Sequence, residues 1–376
     1  MVRRVQRDEI TRLSPPPSVA RLARLASWLL LVASLGCLAS CSPTTAGPHA
    51  LAIMPGVINR TDNKSLRTAV LRYGLEEFCK EMTHRGAPLR LVDDSPPIGR
   101  FYAQRCDTHF FDDENHKGFL VQFSGHGYAW TRETQRFGFE ASGVVEYNPD
   151  FLLDGSTMYV YFRTRQIGTT SFKTTMVEGG LANIALTLAP QGFADRIGQQ
   201  IVSKELARGL TVIRDADGGV SFGLGIIEKG KRPLRPYEVS GKDKLVLGNE
   251  RIEVHSNQRE LLGPFHVDDE DRALYLTMSL DGADAVDVMV FPKAAGDPWL
   301  AQYVYQPQTT PPPYAPVAGD VLTAGMQWQR VFSLLPGHYY LVVDHTSTAG
   351  RVAPPNLPFD DRAATVSYVV ELGDAP

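Results

Sequence analysis

Apolar and polar residues alternate in several stretches of the chain with the two-residue period of a β-strand. The clearest case is 157–163, where one side carries Met158, Val160 and Phe162 and the other carries Tyr159, Tyr161 and Arg163. Successive side chains of a strand point to opposite faces, so this stretch predicts an antiparallel strand with one wetter face. Asp154-Gly155 is a favourable turn pair, which predicts a hairpin with the strand at 144–147.

Two other stretches repeat apolar residues at three- to five-residue steps, as one face of an amphipathic helix does. The first starts near Asn63, ends at Gly86, and presents Leu66, Ala69, Val70, Tyr73, Phe78 and Met82. The second runs from Gly192 to Arg208, ends at Gly209, and presents Phe193, Ile197, Ile201 and Leu206. A hairpin of 210–213 with 220–227 follows. Because these helices are few and do not alternate regularly with strands, the pattern predicts an α+β domain over residues 49–240.

Every strong signal after the proline-broken polar segment 229–236 is that of a strand. Residues 274–280 alternate strictly, and further short apolar runs follow at 286–291, 328–334, 339–343 and 365–372. Six or more short strands in about 130 residues predict an antiparallel β-sandwich, which we assign to residues 241–376. Pro311-Pro312-Pro313 predicts a long surface loop within it.

Two of these strands carry a weak resemblance to a known family. Residues 285–291, and later 335–343 with its Gly-His-Tyr-Tyr sequence, resemble the pre-peptidase C-terminal type of bacterial β-sandwich. That resemblance implies an accessory, non-catalytic module. An unrelated sandwich with the same patterning explains these residues equally well.

The N-terminal stretch has the organisation of a secretory signal. Arginines precede the apolar run 25–36, which at 12 residues is shorter than the ~20 residues that a spanning helix needs. Leu38-Ala39-Ser40-Cys41 then resembles the lipobox of bacterial lipoproteins. This resemblance implies that Cys41 is lipidated, that residues 1–40 are removed, and that 41–48 is a tether. The alternatives are a signal peptide with a chance cysteine and a short anchor helix.

The same resemblance predicts a location. Ser42 follows Cys41 without an acidic retention residue, which by likeness to lipoproteins favours the outer membrane. We therefore expect a lipid-anchored protein of the cell envelope that faces the periplasm or the surface. Its expected partners are the membrane, through the anchor, and a lipid or protein of the envelope.

Composition narrows the function further. Removal of residues 1–40 from 376 leaves 336, enough for two domains with their own cores. The net charge of −4 gives no electrostatic reason to expect nucleic-acid binding.

Cys79 and Cys106 are the two cysteines beyond the anchor, and in an oxidising compartment they predict a disulfide. Closing that loop of roughly 27 residues would stabilise the fold by about 3 kcal/mol. Two free buried thiols are the alternative.

One motif resembles an enzyme family. Phe123-Ser124-Gly125-His126-Gly127 is similar to the histidine strand of caspase-like cysteine proteases, whose chemistry needs a downstream thiolate. No cysteine follows Cys106, so we do not expect an active protease. An inactive relative and a coincidental strand and turn remain as interpretations.

Other polar groupings predict no site. The set at 109–116 (His109, Asp112, Asp113, Glu114, His116) and the acidic run 268–271 are typical of solvated loops, and the latter lacks calcium-loop spacing. Asp344-His345 has no G-x-S-x-G nucleophile motif to accompany it. We therefore assign no catalytic residue, no metal ligand and no cofactor.

The sequence thus predicts a non-enzymatic binding or scaffold protein. In a sharper form, the α+β domain holds a lipid or another apolar ligand in a groove lined by its second helix. A plain core explains the same residues, and the two differ in whether an apolar cavity exists. The alternative function is a secreted hydrolase with a site around His126.

Overall fold

We describe a computed structural model of the chain. It describes residues 65, 79, 83, 86–90, 95–112, 117–132, 134–178, 193–215, 220–232, 236–239, 243–354 and 362–376. The apolar face of the first predicted helix and the anchor residue Cys41 lie outside these residues. Ser65, Cys79 and Thr83 have helical backbone.

Long strands that pair in chain order form the first sheet. It has seven antiparallel strands: β1 (Ala87–Leu89), β2 (Gly99–Asp112), β3 (Lys117–Thr131), β4 (Gln135–Asp154), β5 (Thr157–Val177), β6 (Leu210–Arg214) and β7 (Val220–Leu224). The predicted turn at Asp154-Gly155 joins β4 to β5, and Gly155 takes a positive φ of 58° that suits glycine. The predicted hairpin after Gly209 is β6 with β7.

The C-terminal strands form two four-stranded antiparallel sheets. One has the order β13 (Trp328–Ser333), β10 (Arg272–Asp281), β15 (Ala363–Asp374), β8 (Leu245–His255), and the other β12 (Ala318–Thr323), β11 (Ala285–Pro292), β14 (Gly337–His345), β9 (Gln258–Val267). Leu274, Leu276 and Met278 alternate into the core between them, as their spacing predicted. The mostly β, antiparallel and sandwich-like part of the predicted fold class is therefore confirmed.

Two helices can be followed along their length in the described part of the chain. The helix α1 (Phe193–Ala207) matches the second predicted helix, and Ile201 and Leu206 of its predicted stripe pack on the first sheet. The helix α2 (Lys293–Tyr305) follows β11 directly, and the sequence pattern did not predict it. Its interior contains Gly296 and Pro298, which disfavour a helix and conceal the signal.

The sheet around β5 differs from the prediction of one wetter face. Tyr159 and Tyr161 are both buried, on the face opposite Met158 and Val160. They form a second small cluster with Ile213, against which Ile226 and Ile227 pack. The chain after β7 covers this face, which alternation within β5 could not reveal.

Residues Leu51–Pro376 belong to one compact unit, in which the first sheet packs against the sandwich. A shared cluster joins Tyr102 and Tyr128 of the sheet to Leu261 and Tyr340 of the sandwich, with α2 between them. The boundary near residue 240 and the α+β description of residues 49–240 stay predictions.

Candidate functional site

An apolar cavity lies between α1 and the first sheet. Its floor is formed by β1 to β4 and its roof by α1 and the turn into β6. The described lining residues are Ala87, Pro88, Leu89, Phe101, Ala103, Cys106, Val121, Phe123, Tyr147, Val202, Glu205, Leu206, Gly209 and Leu210. Of these described lining residues, Glu205 is the one with a carboxylate.

Hydrogen bonds to β5 hold both ends of α1 in place above this floor. At the start of the helix, the Thr174 amide donates to Asp195 Oδ1 at 2.8 Å. At its end, the Thr164 hydroxyl donates at 2.7 Å to the carbonyl of Leu206, one of the carbonyls that a helix terminus leaves unpaired. The helix therefore spans the sheet as a fixed roof.

Gly209 ends the helix where close approach and backbone conformation both require glycine. Its φ is 69°, and a Cβ at this position would lie 2.2 Å from the carbonyl oxygen of Phe162. The chain can consequently turn at once from α1 into β6, and this turn completes the roof of the cavity.

Glu205 is the polar feature of the cavity wall. Its carboxylate accepts hydrogen bonds from Arg208 Nη1, at 3.1 Å to each oxygen, and from the Arg90 amide at 3.2 Å. Burial raises the pKa of Glu205, although Arg208 and Arg90 act in the opposite direction. A buried carboxylate with these partners is compensated, so the cavity wall is polar at one point and apolar elsewhere.

The predicted disulfide is present and belongs to this site. Cys79 and Cys106 are bonded, with their Cα atoms 5.3 Å apart, so the alternative of two free thiols is wrong. Cys106 lines the cavity from β2, and both cysteines pack on the core of the first sheet. The bridge therefore ties the helical backbone at Cys79 to the cavity wall.

His126 lies away from the cavity. It is inside β3, in register with Tyr102 on one side and Glu140 on the other, so its motif forms no strand end or turn. The ring is buried, with the rings of Tyr102 and Tyr305 centred 6.3 and 6.1 Å away. Within the described residues neither ring nitrogen has a hydrogen-bond partner. No hydroxyl or thiol nucleophile is thus bonded to His126 there.

The other polar groupings have ordinary structural roles. The carboxylate of Asp344 pairs with Arg259 at 2.9 Å, and both side chains are buried. Burial raises the pKa of Asp344 to about 6, against the effect of Arg259. Asp268, Asp269 and Glu270 are exposed in the turn between β9 and β10, and Asp113, Glu114 and His116 lie outside the described residues.

The described residues contain neither a metal-binding cluster nor a membrane-spanning helix. No group of three or more His, Cys, Asp or Glu side chains there could hold a metal ion. Neither α1 nor α2 has the length and apolar character needed to cross a membrane, at 15 and 13 residues.

The sequence signals for the cavity were partial. The helical period predicted the α1 face, with Leu206. Val121 and Phe123 of the floor belong to a compact apolar run at 119–123. Ala103, Tyr147 and the β1 residues carried no signal for a site, because only the pairing of β1 to β4 brings them beneath the helix.

Comparison with known proteins identifies no family. No family model matches the chain, and no curated protein matches it. Among solved structures, the infectious bursal disease virus Gx strain is similar at 12% identity over 76% of this chain and 74% of that chain, with a TM-score of 0.19. A fragment of Extended-Synaptotagmin 2 that holds its SMP domain and two C2 domains is similar at 10% identity over 82% of this chain and 67% of that chain, with a TM-score of 0.18. TM-scores this low support no conclusion about fold or function.

Proposed function

We propose that this protein is a lipid-anchored envelope protein that binds an apolar ligand, of the size of a single acyl chain segment, in the cavity beneath α1. The anchor at Cys41 and the outer-membrane location rest on the sequence. In this proposal residues 49–240 form the α+β ligand-binding domain, and the sandwich at 241–376 is an accessory module without a catalytic role.

The observation that supports the proposal is the empty space itself. The cavity has a volume of about 70 Å³, several times the roughly 15 Å³ that one water molecule needs on the same measure. Protein interiors are packed to crystal density, so a plain core would not leave this space. An apolar cavity excludes water and is a favourable place for methylene groups, each of which contributes ~0.8 kcal/mol when buried.

The cavity also favours binding over hydrolysis at His126. Its described wall contains apolar side chains and one carboxylate that Arg208 already compensates. His126 is buried elsewhere, between β3 and α2, and does not line the cavity.

Native mass spectrometry of the full-length protein extracted from membranes tests both parts of the proposal. We expect a covalent mass increase on the peptide that begins at Cys41, and a separate non-covalent adduct of lipid mass that is lost on denaturation. A mature protein that begins upstream of Cys41 contradicts the anchor. Absence of any adduct, together with no saturable binding of a fluorescent fatty acid, contradicts ligand binding.

A matched pair of substitutions locates the ligand. Ala103→Leu places extra methyl groups in the cavity, so we expect loss of fatty-acid binding with a melting temperature that is unchanged or raised. Ala141→Leu makes the same change in the filled part of the same core, where overpacking costs about 1–3 kcal/mol and ligand binding should persist. Equal destabilisation by both would show that the space at Ala103 is filled and would overturn the proposal.

A further inference from the structure

Two histidines lie directly opposite each other on neighbouring strands of the sandwich. His266 of β9 is the register partner of His338 of β14, and their rings stack with centroids 4.4 Å apart and planes 18° from parallel. The adjacent pair in the register, Phe265 and Tyr339, is buried in the sandwich core. Because alternate residues face opposite ways, the two imidazoles project from the outer face of the sheet.

The two rings lie at the surface of the sandwich. His266 is exposed and His338 is half-buried. The hydrogen-bonded strands hold the two backbones at a fixed separation, so binding a common ion orders only two side chains. This pre-organisation lowers the entropic cost that two histidines on a flexible loop would incur.

The chemistry of the pair suits a particular class of cation. Neutral imidazole is a ligand for Cu²⁺, Ni²⁺ and Zn²⁺, whereas Mg²⁺ and Ca²⁺ prefer oxygen. Metal–nitrogen bonds of about 2.0–2.1 Å place two neighbouring ligand nitrogens about 3 Å apart, in the square-planar geometry of Cu²⁺ or the tetrahedral geometry of Zn²⁺. The stacked rings must therefore rotate about their side-chain torsions for one nitrogen of each ring to bind the same ion.

We propose that His266 and His338 form a two-ligand site for a divalent transition-metal ion, with water completing the coordination. No third His, Cys, Asp or Glu joins the pair in a metal-holding group among the described residues, which makes the site open. Affinity should then follow the intrinsic order for nitrogen ligands, with Cu²⁺ bound more tightly than Zn²⁺. The site is independent of the cavity and of the proposed ligand-binding function.

Copper titration of the full chain, purified without a histidine tag, tests the site. We expect saturable binding of Cu²⁺, with an electron paramagnetic resonance spectrum showing nitrogen coordination, and no comparable binding of Mg²⁺. His266→Gln and His338→Gln should each weaken Cu²⁺ binding at least about tenfold, since each removes one of two ligands. Both positions face solvent at least in part, and the melting temperature of each variant checks that it folds.

His109→Gln is the matched control, because His109 is exposed on β2 and its neighbouring ring is that of Phe111, tilted and 6.3 Å away between centroids, instead of a second histidine. Cu²⁺ binding should be unchanged in this variant. Binding that survives in the double variant H266Q/H338Q, or that is lost in H109Q, places the ion elsewhere and overturns the proposal. Absence of saturable binding by the unaltered chain overturns it as well.

Discussion

At the scale of single residues, His126 is a buried titratable group whose ring nitrogens have no hydrogen-bond partner within the described residues. Its imidazole is buried between β3 and α2, and the neighbouring carboxylate of Glu140 accepts a hydrogen bond from Tyr305 at 2.8 Å. Burial lowers the pKa of His126, and Glu140 and Asp297 offset this only in part. The folded protein therefore favours the neutral ring.

This preference predicts a pH-dependent stability. In the unfolded chain His126 binds a proton near its ordinary pKa of 6.5, whereas the folded chain takes it up only at lower pH. The contribution of the neutral His126 ring to the free energy of unfolding is thus complete at neutral pH, and it is lost as the pH falls below 6.5. Urea unfolding at pH values from about 7.5 to about 5 should show a smaller loss of stability in His126→Gln than in the unaltered protein.

The comparison of the pH profiles of His126→Gln and the unaltered protein isolates the effect of His126. Asp344, whose raised pKa acts in the opposite direction over the same range, is present in both proteins and cancels. His109→Gln, an exposed substitution, should leave the pH dependence of the unaltered protein intact. Parallel pH profiles for His126→Gln and the unaltered protein would contradict the predicted role of burial.

At the scale of elements, the position of α1 depends on a glycine inside the helix. A Cβ at Gly198 would lie 1.9 Å from Cζ of Phe172, and that ring is itself stacked on Phe139 at 4.9 Å between centroids. The helix can therefore lie close to β5 only without a side chain at 198. Close contact at this end and the fixed carbonyl of Leu206 at the other set the height of the cavity roof.

Gly198→Ala separates helix propensity from packing. Alanine in a helix interior is favoured over glycine by about 1 kcal/mol, but the clash with Phe172 should outweigh it and lower the unfolding free energy by about 1–3 kcal/mol. Thermal or urea unfolding measures the difference. Gln199→Ala, at the exposed neighbouring position, should change stability by less than about 0.5 kcal/mol. Stabilisation by Gly198→Ala would show that propensity dominates.

At the scale of the whole molecule, a buried ionic cluster connects the first sheet to the sandwich. Arg100 of β2 pairs with Glu250 of β8 at 3.0 Å and with Glu260 of β9 at 2.7 Å. The hydroxyl of Tyr128 donates to Glu260 at 2.9 Å. Burial acts to raise the pKa of both carboxyls. At Glu250 the effect of Arg100 and Arg90 is larger, so the pKa of Glu250 is lowered. At Glu260 the effect of burial is larger, so the pKa of Glu260 is raised.

Arg100→Met should therefore be strongly destabilising. It removes the guanidinium that pairs with the buried carboxylate of Glu260 and with the partly exposed carboxylate of Glu250, and breaking a buried pair costs about 3–5 kcal/mol. Because the lost contacts join the sheet to the sandwich, we also expect calorimetry to show one unfolding transition for the unaltered protein and two for the variant.

An exposed ion pair supplies the matched control for this prediction. Arg330→Met removes a pair with Asp320 at 2.7 Å in which both side chains are substantially exposed, and it should cost less than about 1 kcal/mol. An Arg100→Met variant as stable as Arg330→Met would show that the cluster does not hold the two parts together.

Local pattern was sufficient for much of the fold. The period of two in β5 and β10, the helical period of α1 with its terminal Gly209, and the turn at Asp154-Gly155 are all properties of neighbouring residues. The disulfide was also within reach, because two cysteines beyond the anchor allow one pairing. The anchor at Cys41 is likewise a sequence inference and stays a prediction.

The sequence by itself therefore determined the core-facing side of β5, β10 and α1, and it left one possible pairing for a disulfide. The tertiary structure alone decided which residues pack against those faces. Tyr159 and Tyr161 are covered by a segment that follows them much later in the chain, and Arg100 pairs with carboxylates 150 and 160 positions away. The position of α1 above the sheet, and with it the space beneath the helix, depends on packing such as the close approach of Gly198 to Phe172. Periodicity reports the direction in which a side chain points, whereas a cavity depends on the distance to whatever lies opposite.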